Sequence, residues 1–174
     1  MLYTGVYDID KTLYLLGDPQ PVTISATAFR GIDMPGDSKV DIYDVEEHAS
    51  IFVRFESGMS FTFEKGWATN MSGLSQGIFI FGSKGAFRGD TLLVEQDGKI
   101  VEEQLNMPDM PNASRIGNFL DACISDRKPI SCGEDGQKVM EIMSGALLSA
   151  KLGREITIDE LYAIEQMRAE PTSG

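Results

Sequence analysis

Apolar and polar residues alternate along two neighbouring stretches that meet at a glycine, and the rest of the chain is arranged around them. From Ala49 to Glu64 the sequence reads ASIFVRFESGMSFTFE. Ile51, Val53 and Phe55 alternate with Phe52, Arg54 and Glu56; Met59, Phe61 and Phe63 alternate with Ser60, Thr62 and Glu64. A period of two on both sides of a turn predicts paired antiparallel strands with one buried face. A two-residue loop at Ser57-Gly58 would set Phe55 beside Ser60 and Val53 beside Thr62, mixing apolar and polar on each face. A three-residue loop, Glu56-Ser57-Gly58, sets Phe55 beside Met59, Val53 beside Phe61 and Ile51 beside Phe63. That loop is a type I turn plus bulge, and its left-handed third position suits Gly58. The pattern therefore selects the three-residue register.

Upstream, Val6, Ile9, Leu13 and Leu16 recur at helical spacing, and Gly17 before Asp18-Pro19 ends the helix. Tyr3, Tyr7, Asp10 and Tyr14 form a second stripe beside the first, which reads most simply as amphipathic tyrosines at the rim of a core. Pro21 to Gly31 predicts a strand, with Val22, Ile24, Ala26 and Ala28 on its apolar face and Thr23, Ser25, Thr27 and Phe29 on the other. Ile32 to Lys39 reads as a loop. Beyond the hairpin, Gly77 to Gly82 is apolar without alternation, which predicts a strand covered on both faces. Gly82-Ser83-Lys84-Gly85 is a turn; it lacks the GxxxxGK[ST] of a phosphate loop. Ala86 to Arg88, Leu92 to Glu95 and Ile100 to Gln104 are short strands, with Asp97-Gly98 as a hairpin turn, and Asn106 to Pro111 is a connector.

The last third is helical. Asn112 or Ser114 caps a helix expected to turn Ile116, Phe119, Leu120, Cys123 and Ile124 inward, ending before Lys128-Pro129. A longer helix from about Glu134 to Gly153 buries Val139, Ile142, Met143, Ala146, Leu147 and Ala150. Ile156 and Ile158 are extended, and Asp159 caps a small helix with Leu161 and Ile164 inward. Helix, strands about a hairpin, then helices describe a single α+β domain over residues 1–169: a largely antiparallel open sheet with helices on one face. Residues 170–174 read as a disordered tail.

Composition adds exclusions. With 174 residues, 42% of them hydrophobic, the chain fits one domain with a real core. A net charge of −12 argues against nucleic acid or an anionic membrane as partner. No apolar run approaches the ~20 residues of a membrane span, and no signal peptide opens the chain. Cys123 and Cys132 form no CxxC pair, so two free thiols and a cytoplasmic setting are expected, with Cys123 buried in its helix. Asp41, Asp44, Glu46, Glu47 and His48 could ligate a hard metal, but nothing fixes their spacing, and a solvated acidic strand entry is the better reading.

Four segments occur together in a familiar order: Gly5-Val6-Tyr7-Asp8-Ile9-Asp10 running to Pro19, then Val45-Glu46-Glu47, Ile80 to Gly85, and Ser149 to Arg154. In this order and spacing, from Tyr3 to Ile158, the chain resembles the C-terminal domain of the Gfo/Idh/MocA oxidoreductases. The resemblance implies a fold like the C-terminal domains of dihydrodipicolinate reductase and glyceraldehyde-3-phosphate dehydrogenase. It also implies an N-terminal Rossmann domain that carries NAD or NADP, and a sheet domain that holds a sugar, polyol or similar hydroxy or carbonyl substrate. That sheet domain would join homodimers or tetramers through its open face. This chain has no GxGxxG and no Glu-Lys-Pro segment, so the family's cofactor site and catalytic lysine are missing. It reads as one domain of a two-domain enzyme, inactive and without a dinucleotide on its own. The family's Asp-x-x-x-His on the first helix corresponds to Tyr3 and Tyr7, and some members carry Tyr in place of that His. The resemblance thus implies Tyr7 as the catalytic residue, with Tyr3, Asp10 and Lys11 binding substrate.

The chemistry is consistent with those roles. Hydride transfer at a carbonyl carbon needs a proton donor or acceptor within about 3 Å of the oxygen. A phenol, with a pKa near ~10, works as a base only beside a cation, and Lys11 lies one helical turn after Tyr7. Asp10 can accept a hydrogen bond from a substrate hydroxyl. Two rivals stand beside this reading: a stand-alone binding or dimerisation module, and a metal-dependent hydrolase built on residues 41–48. Phe52, Phe29 and the run Ile78 to Phe81 would leave a partly aromatic second sheet face open, which predicts a sheet-to-sheet homodimer.

Overall fold

The computed structural model describes residues 2–30, 45–66, 77–105 and 114–169, without the side chains of 2–4 and 167–169. The loop at 32–39, Asp41, Asp44, the connector at 106–111, Asn112 and the tail lie outside the described residues. The chain divides into two compact units, Met1–Asn70 with Ser131–Gly174, and Met71–Ile130. No described helix is long and apolar enough to cross a membrane.

The first unit holds α1 (Leu2–Leu15), β1 (Pro21–Phe29), β2 (His48–Phe55) and β3 (Ser60–Gly66), then α3 (Gly133–Leu152), β8 (Ile156–Thr157) and α4 (Ile158–Ala169). Its four strands are antiparallel in the order β3-β2-β1-β8. The hairpin has the three-residue register: Val53 pairs with Phe61 and Ile51 with Phe63. Phe55 N–H donates to Met59 O at 3.0 Å, and Gly58 takes φ +81°, a backbone that L side chains resist.

One face of this sheet is the core. Ile24, Ile51, Val53 and Phe55 are buried with Ile9 and Leu13 of α1 and with Val139, Ile142, Met143 and Ala146 of α3. Each such side chain taken out of water contributes about 1.5–3 kcal/mol. Helix α3 crosses β1 at Gly145, where a Cβ would come within 2.4 Å of Ile24 Cδ1. Ser149, fully buried, completes the sheet beyond the short strand β8. Its Oγ accepts from Ala26 N at 2.9 Å and donates to Arg154 O at 2.6 Å. Gly153 ends α3 at φ +68°.

Several expectations change here. Pro21 pairs with Phe55 but Thr23 with Arg54, so Val22 is the extra residue of a bulge; Pro21 is buried and Val22 is exposed. Ala28, near the strand end, is exposed as well. Glu47, expected in solvent, is buried, and its N–H donates to Phe29 O at 2.9 Å. Helix α4 is capped by Thr157, whose Oγ1 accepts from Glu160 N at 3.1 Å, rather than by Asp159. Leu161 is buried as expected.

The second unit holds β4 (Phe79–Gly82), β5 (Gly85–Arg88), β6 (Thr91–Gln96), β7 (Lys99–Gln104) and α2 (Arg115–Ile124). These strands form a separate antiparallel sheet in chain order. The α+β class and the open antiparallel sheets stand; the strands, expected in one sheet, divide between two. Asp97 and Gly98 both have positive φ, the turn predicted between β6 and β7. Among the described residues strand β4 pairs only with β5, and Phe81 is 85% exposed, so the strand is not covered on both faces. Ser114 caps α2, its Oγ accepting from Gly117 N at 3.1 Å. The face expected inward is exposed: Ile116, Phe119, Leu120, Cys123 and Ile124 all lie in solvent, and Ala122 is the buried residue of the helix. Helical spacing named the stripe but supplied nothing within this unit to cover it.

Candidate functional site

Helix α1 is seated by its apolar stripe and by two contacts with β3. Ile9 and Leu13 are buried, and Val6 packs beside them. At Gly5 a Cβ would lie 3.3 Å from Phe63 Cζ, a close approach that keeps the helix low on the sheet. Lys65 Nζ pairs with Asp8 Oδ2 at 2.7 Å, and Thr12 Oγ1 donates to Asp8 O at 2.7 Å. Gly17 and Asp18 then take positive φ, ending the helix as expected.

The opposite stripe faces water. Tyr7 is 71% exposed, and Asp10, Lys11 and Tyr14 are exposed with it. Spaced i, i+3, i+4 and i+7, these four share one side of the helix, within reach of a common small ligand. Tyr7 and Tyr14, at 71% and 58% exposure, therefore stand clear of the core that the buried stripe joins. The side chain of Tyr3 lies outside the described residues.

Asp10 carries the local electrostatic stress. Partial burial, then the nearby carboxylates of Asp135 and Asp18, push its carboxyl above the usual range. Asp135 sits at the start of α3, where it accepts from Cys132 N at 2.8 Å, and Lys138 Nζ donates to Asp18 O at 2.7 Å. The start of α3 thus meets the end of α1. A phenol, a carboxylate and an ammonium group on one exposed face can donate to and accept from the oxygens of a hydroxylated substrate.

Among the described residues every strand pairing is antiparallel, and α3 and α4 both open on carboxylates, Glu134 with Asp135 and Asp159 with Glu160. These acids disfavour an anion at those two helix starts, whereas α2 has no acid in its first turn. No group of three His, Cys, Asp or Glu among the described residues could hold a metal; His48 instead pairs with Glu64 at 3.0 Å.

One polar cluster interrupts the apolar face of α3 and is not among the candidate residues. Glu141, in the apolar run of α3, is only 6% exposed. It accepts from the Tyr162 hydroxyl and, at 3.0 Å, from Gln137 Nε2. The bond to that carboxylate and the loss of water hold the Tyr162 phenol above its usual range. A carboxylate one residue before Ile142 and Met143 was the available signal.

The sequence model of one family, the GFO/IDH/MocA C-terminal domain, matches residues 1–88. No curated protein matches the chain. Solved structures share its fold. An NAD-binding protein from Listeria innocua is 19% identical with a TM-score of 0.66, over 90% of this chain and 46% of that one. An oxidoreductase from Agrobacterium radiobacter, in complex with NAD+, L-tartaric acid and magnesium, is 20% identical with a TM-score of 0.66, over 91% and 48%. An aldose-aldose oxidoreductase from Caulobacter crescentus, complexed with glycerol, is 18% identical with a TM-score of 0.61, over 88% and 45%. The chain spans about half the length of each.

Proposed function

Because this chain belongs to the GFO/IDH/MocA C-terminal domain family, we propose that it is the substrate-side half of an NAD(P)-dependent oxidoreductase acting on a sugar, polyol or similar hydroxy or carbonyl compound. The observation that carries the reading is the face of α1 opposite its buried stripe: Tyr7, Asp10 and Lys11 stand together in solvent on a helix pinned by Ile9, Leu13 and the Lys65–Asp8 pair. In this reading Tyr7 exchanges a proton with the substrate oxygen, and Lys11, one helical turn on, donates to an oxygen of the same substrate. Asp10 accepts from a neighbouring substrate hydroxyl, and Tyr3, one turn before Tyr7 on the same helix, adds a further contact. The dinucleotide belongs to a nucleotide-binding domain outside this chain. The tartrate and glycerol in two proteins of the same fold are hydroxylated compounds, which supports the substrate class.

In the enzyme that pairs this domain with its nucleotide-binding domain, Tyr7→Phe should lower turnover by roughly 10²-fold and leave cofactor affinity unchanged. Steady-state kinetics beside a cofactor titration checks it. Activity kept within a few-fold would return Tyr7 to a surface tyrosine.

The second face of the first sheet supports an oligomer. Phe52 is half-buried there, with Arg54 4.8 Å over its ring and Ser25 and Thr62 as its cross-strand neighbours. The small side chains permit two such sheets to stack about 10 Å apart. The aromatics of β4, once expected on this face, belong to the other sheet. Light scattering should give at least twice the chain mass, and Phe52→Glu should shift it toward monomer. A monomeric unmutated chain would overturn the sheet-to-sheet oligomer.

A further inference from the structure

A groove of about 260 Å³ lies between α3 and α4, and its lining includes none of the α1 residues that the proposed reaction uses. Its walls are Met140 and Leu161, and its polar lining comes from Gln137, Ser144, Tyr162 and Glu165, with Glu141 completing it. No lysine, arginine or histidine lines it. A carboxylate as buried as Glu141 is costly unless something compensates its charge. The side chains that hydrogen-bond it, Tyr162, Gln137 and Gln20, are all neutral. Oε1 accepts from the Tyr162 hydroxyl and from Gln137 Nε2 at 3.0 Å, whereas Oε2 has only Gln20 Nε2, at 3.5 Å. One oxygen is well served, the other poorly, and no ion pair with a cationic side chain balances the charge among the described residues.

We propose that this groove binds a short alkylammonium group, with Glu141 as its counter-ion. The ammonium offers Oε2 a closer donor than Gln20 Nε2 at 3.5 Å, and it supplies the positive charge that the neutral hydrogen-bond partners do not. Met140, half exposed, and Leu161 cover the alkyl stem, as apolar surface commonly does for a lysine-like chain. Glu165 adds a second negative charge to the lining and repels anions. The volume lies below the ~300 Å³ at which pockets for drug-sized ligands begin, so the ligand is small. The chemistry fits a free aliphatic amine and the side chain of a partner's lysine equally.

The test is an NMR titration of the whole chain with n-butylammonium chloride, with n-butanol and sodium butyrate at matched ionic strength as controls. Saturable shifts should be confined to α3 and α4 residues around the groove. Butanol should bind at least about tenfold more weakly, the scale of a lost charge-assisted hydrogen bond, and butyrate should not bind. A parallel titration with Nα-acetyl-lysine methylamide separates the sources: tighter binding than butylammonium assigns the groove to a partner's lysine, weaker binding to a free amine. Glu141→Gln should abolish the shifts. Should that variant fail to fold, Met140→Trp, at an exposed position, should fill the groove and abolish them at an unchanged melting midpoint. Equal binding of butanol, or no saturable shift at millimolar amine, would reduce the cluster to a staple between two helices and overturn the proposal.

Discussion

The two units of the chain use the same sequence grammar with opposite results. In the first, the apolar stripes of α1 and α3 and the alternating face of the hairpin all end in one buried cluster. In the second, α2 has a stripe as regular as that of α1, yet Phe119, Leu120 and Ile124 stand in solvent, Ile124 at 82% exposure. Periodicity identifies the face that can be buried; whether it is buried depends on a partner of matching shape. In the first unit that partner lies in the same chain, brought close by Gly145 over Ile24 and Gly5 over Phe63. In the second unit no described partner covers the α2 stripe.

The strongest way to break that contrast is to truncate one side chain from each unit. Ile142 is fully buried, so Ile142→Ala should remove about 2–5 kcal/mol, transfer energy plus the cavity left behind. Phe119→Ala, on the exposed stripe, should change stability by no more than about 0.5 kcal/mol. Urea unfolding of both variants decides it. Equal losses would mean that α2 is covered in solution and that the contrast is false.

A smaller effect sharpens the first half of the comparison. Gly58 has open space around it but a φ of +81°. Gly58→Val should therefore cost at least about 1 kcal/mol through backbone strain alone, without a clash. Thermal melting that matches the unmutated chain would show that the turn relaxes to another register.

Much of the first unit was legible because local and global preferences agree there. The Ile51–Phe63 and Val53–Phe61 pairs followed from keeping apolar positions on one face, and Gly58 and Gly153 followed from left-handed turn chemistry. Departures arose where tertiary detail decides. The bulge at Val22 reverses the strand's parity near its start, and alternation alone cannot place an extra residue. Thr157 competes with Asp159 for the same cap, and both are good capping residues. The division into two sheets depends on long-range pairing, which no local period encodes. Of the site, the shared face of Tyr7, Asp10 and Lys11 could be read from helical spacing. The Glu141–Tyr162 cluster could not, because its members come from α3 and α4, 21 residues apart in sequence.

The smallest expected effect tests whether the first unit, for all its consistency, carries a local cost at its exposed stripe. Asp10 titrates above the ordinary value of 3.8 because burial removes water and because Asp135 and Asp18 repel its charge. The folded chain therefore holds that proton more tightly than the unfolded chain. Relative to a neutral residue, Asp10 costs nothing below pH 3.8, and its cost grows as pH rises through the raised pKa, reaching its full size at neutral pH. Asp10→Asn should accordingly stabilise the fold at pH 7, by about 0.5 kcal/mol or less given solvent screening. The gain should vanish as the pH is lowered through the raised pKa toward 3.8. In the assembled enzyme the same variant should raise KM, since an amide is a weaker acceptor for a substrate hydroxyl than a carboxylate. A stabilising change that weakens substrate binding marks a residue kept for function. A melting midpoint at pH 7 below that of the unmutated chain would show that Asp10 supports the fold, and that α1 bears no such cost.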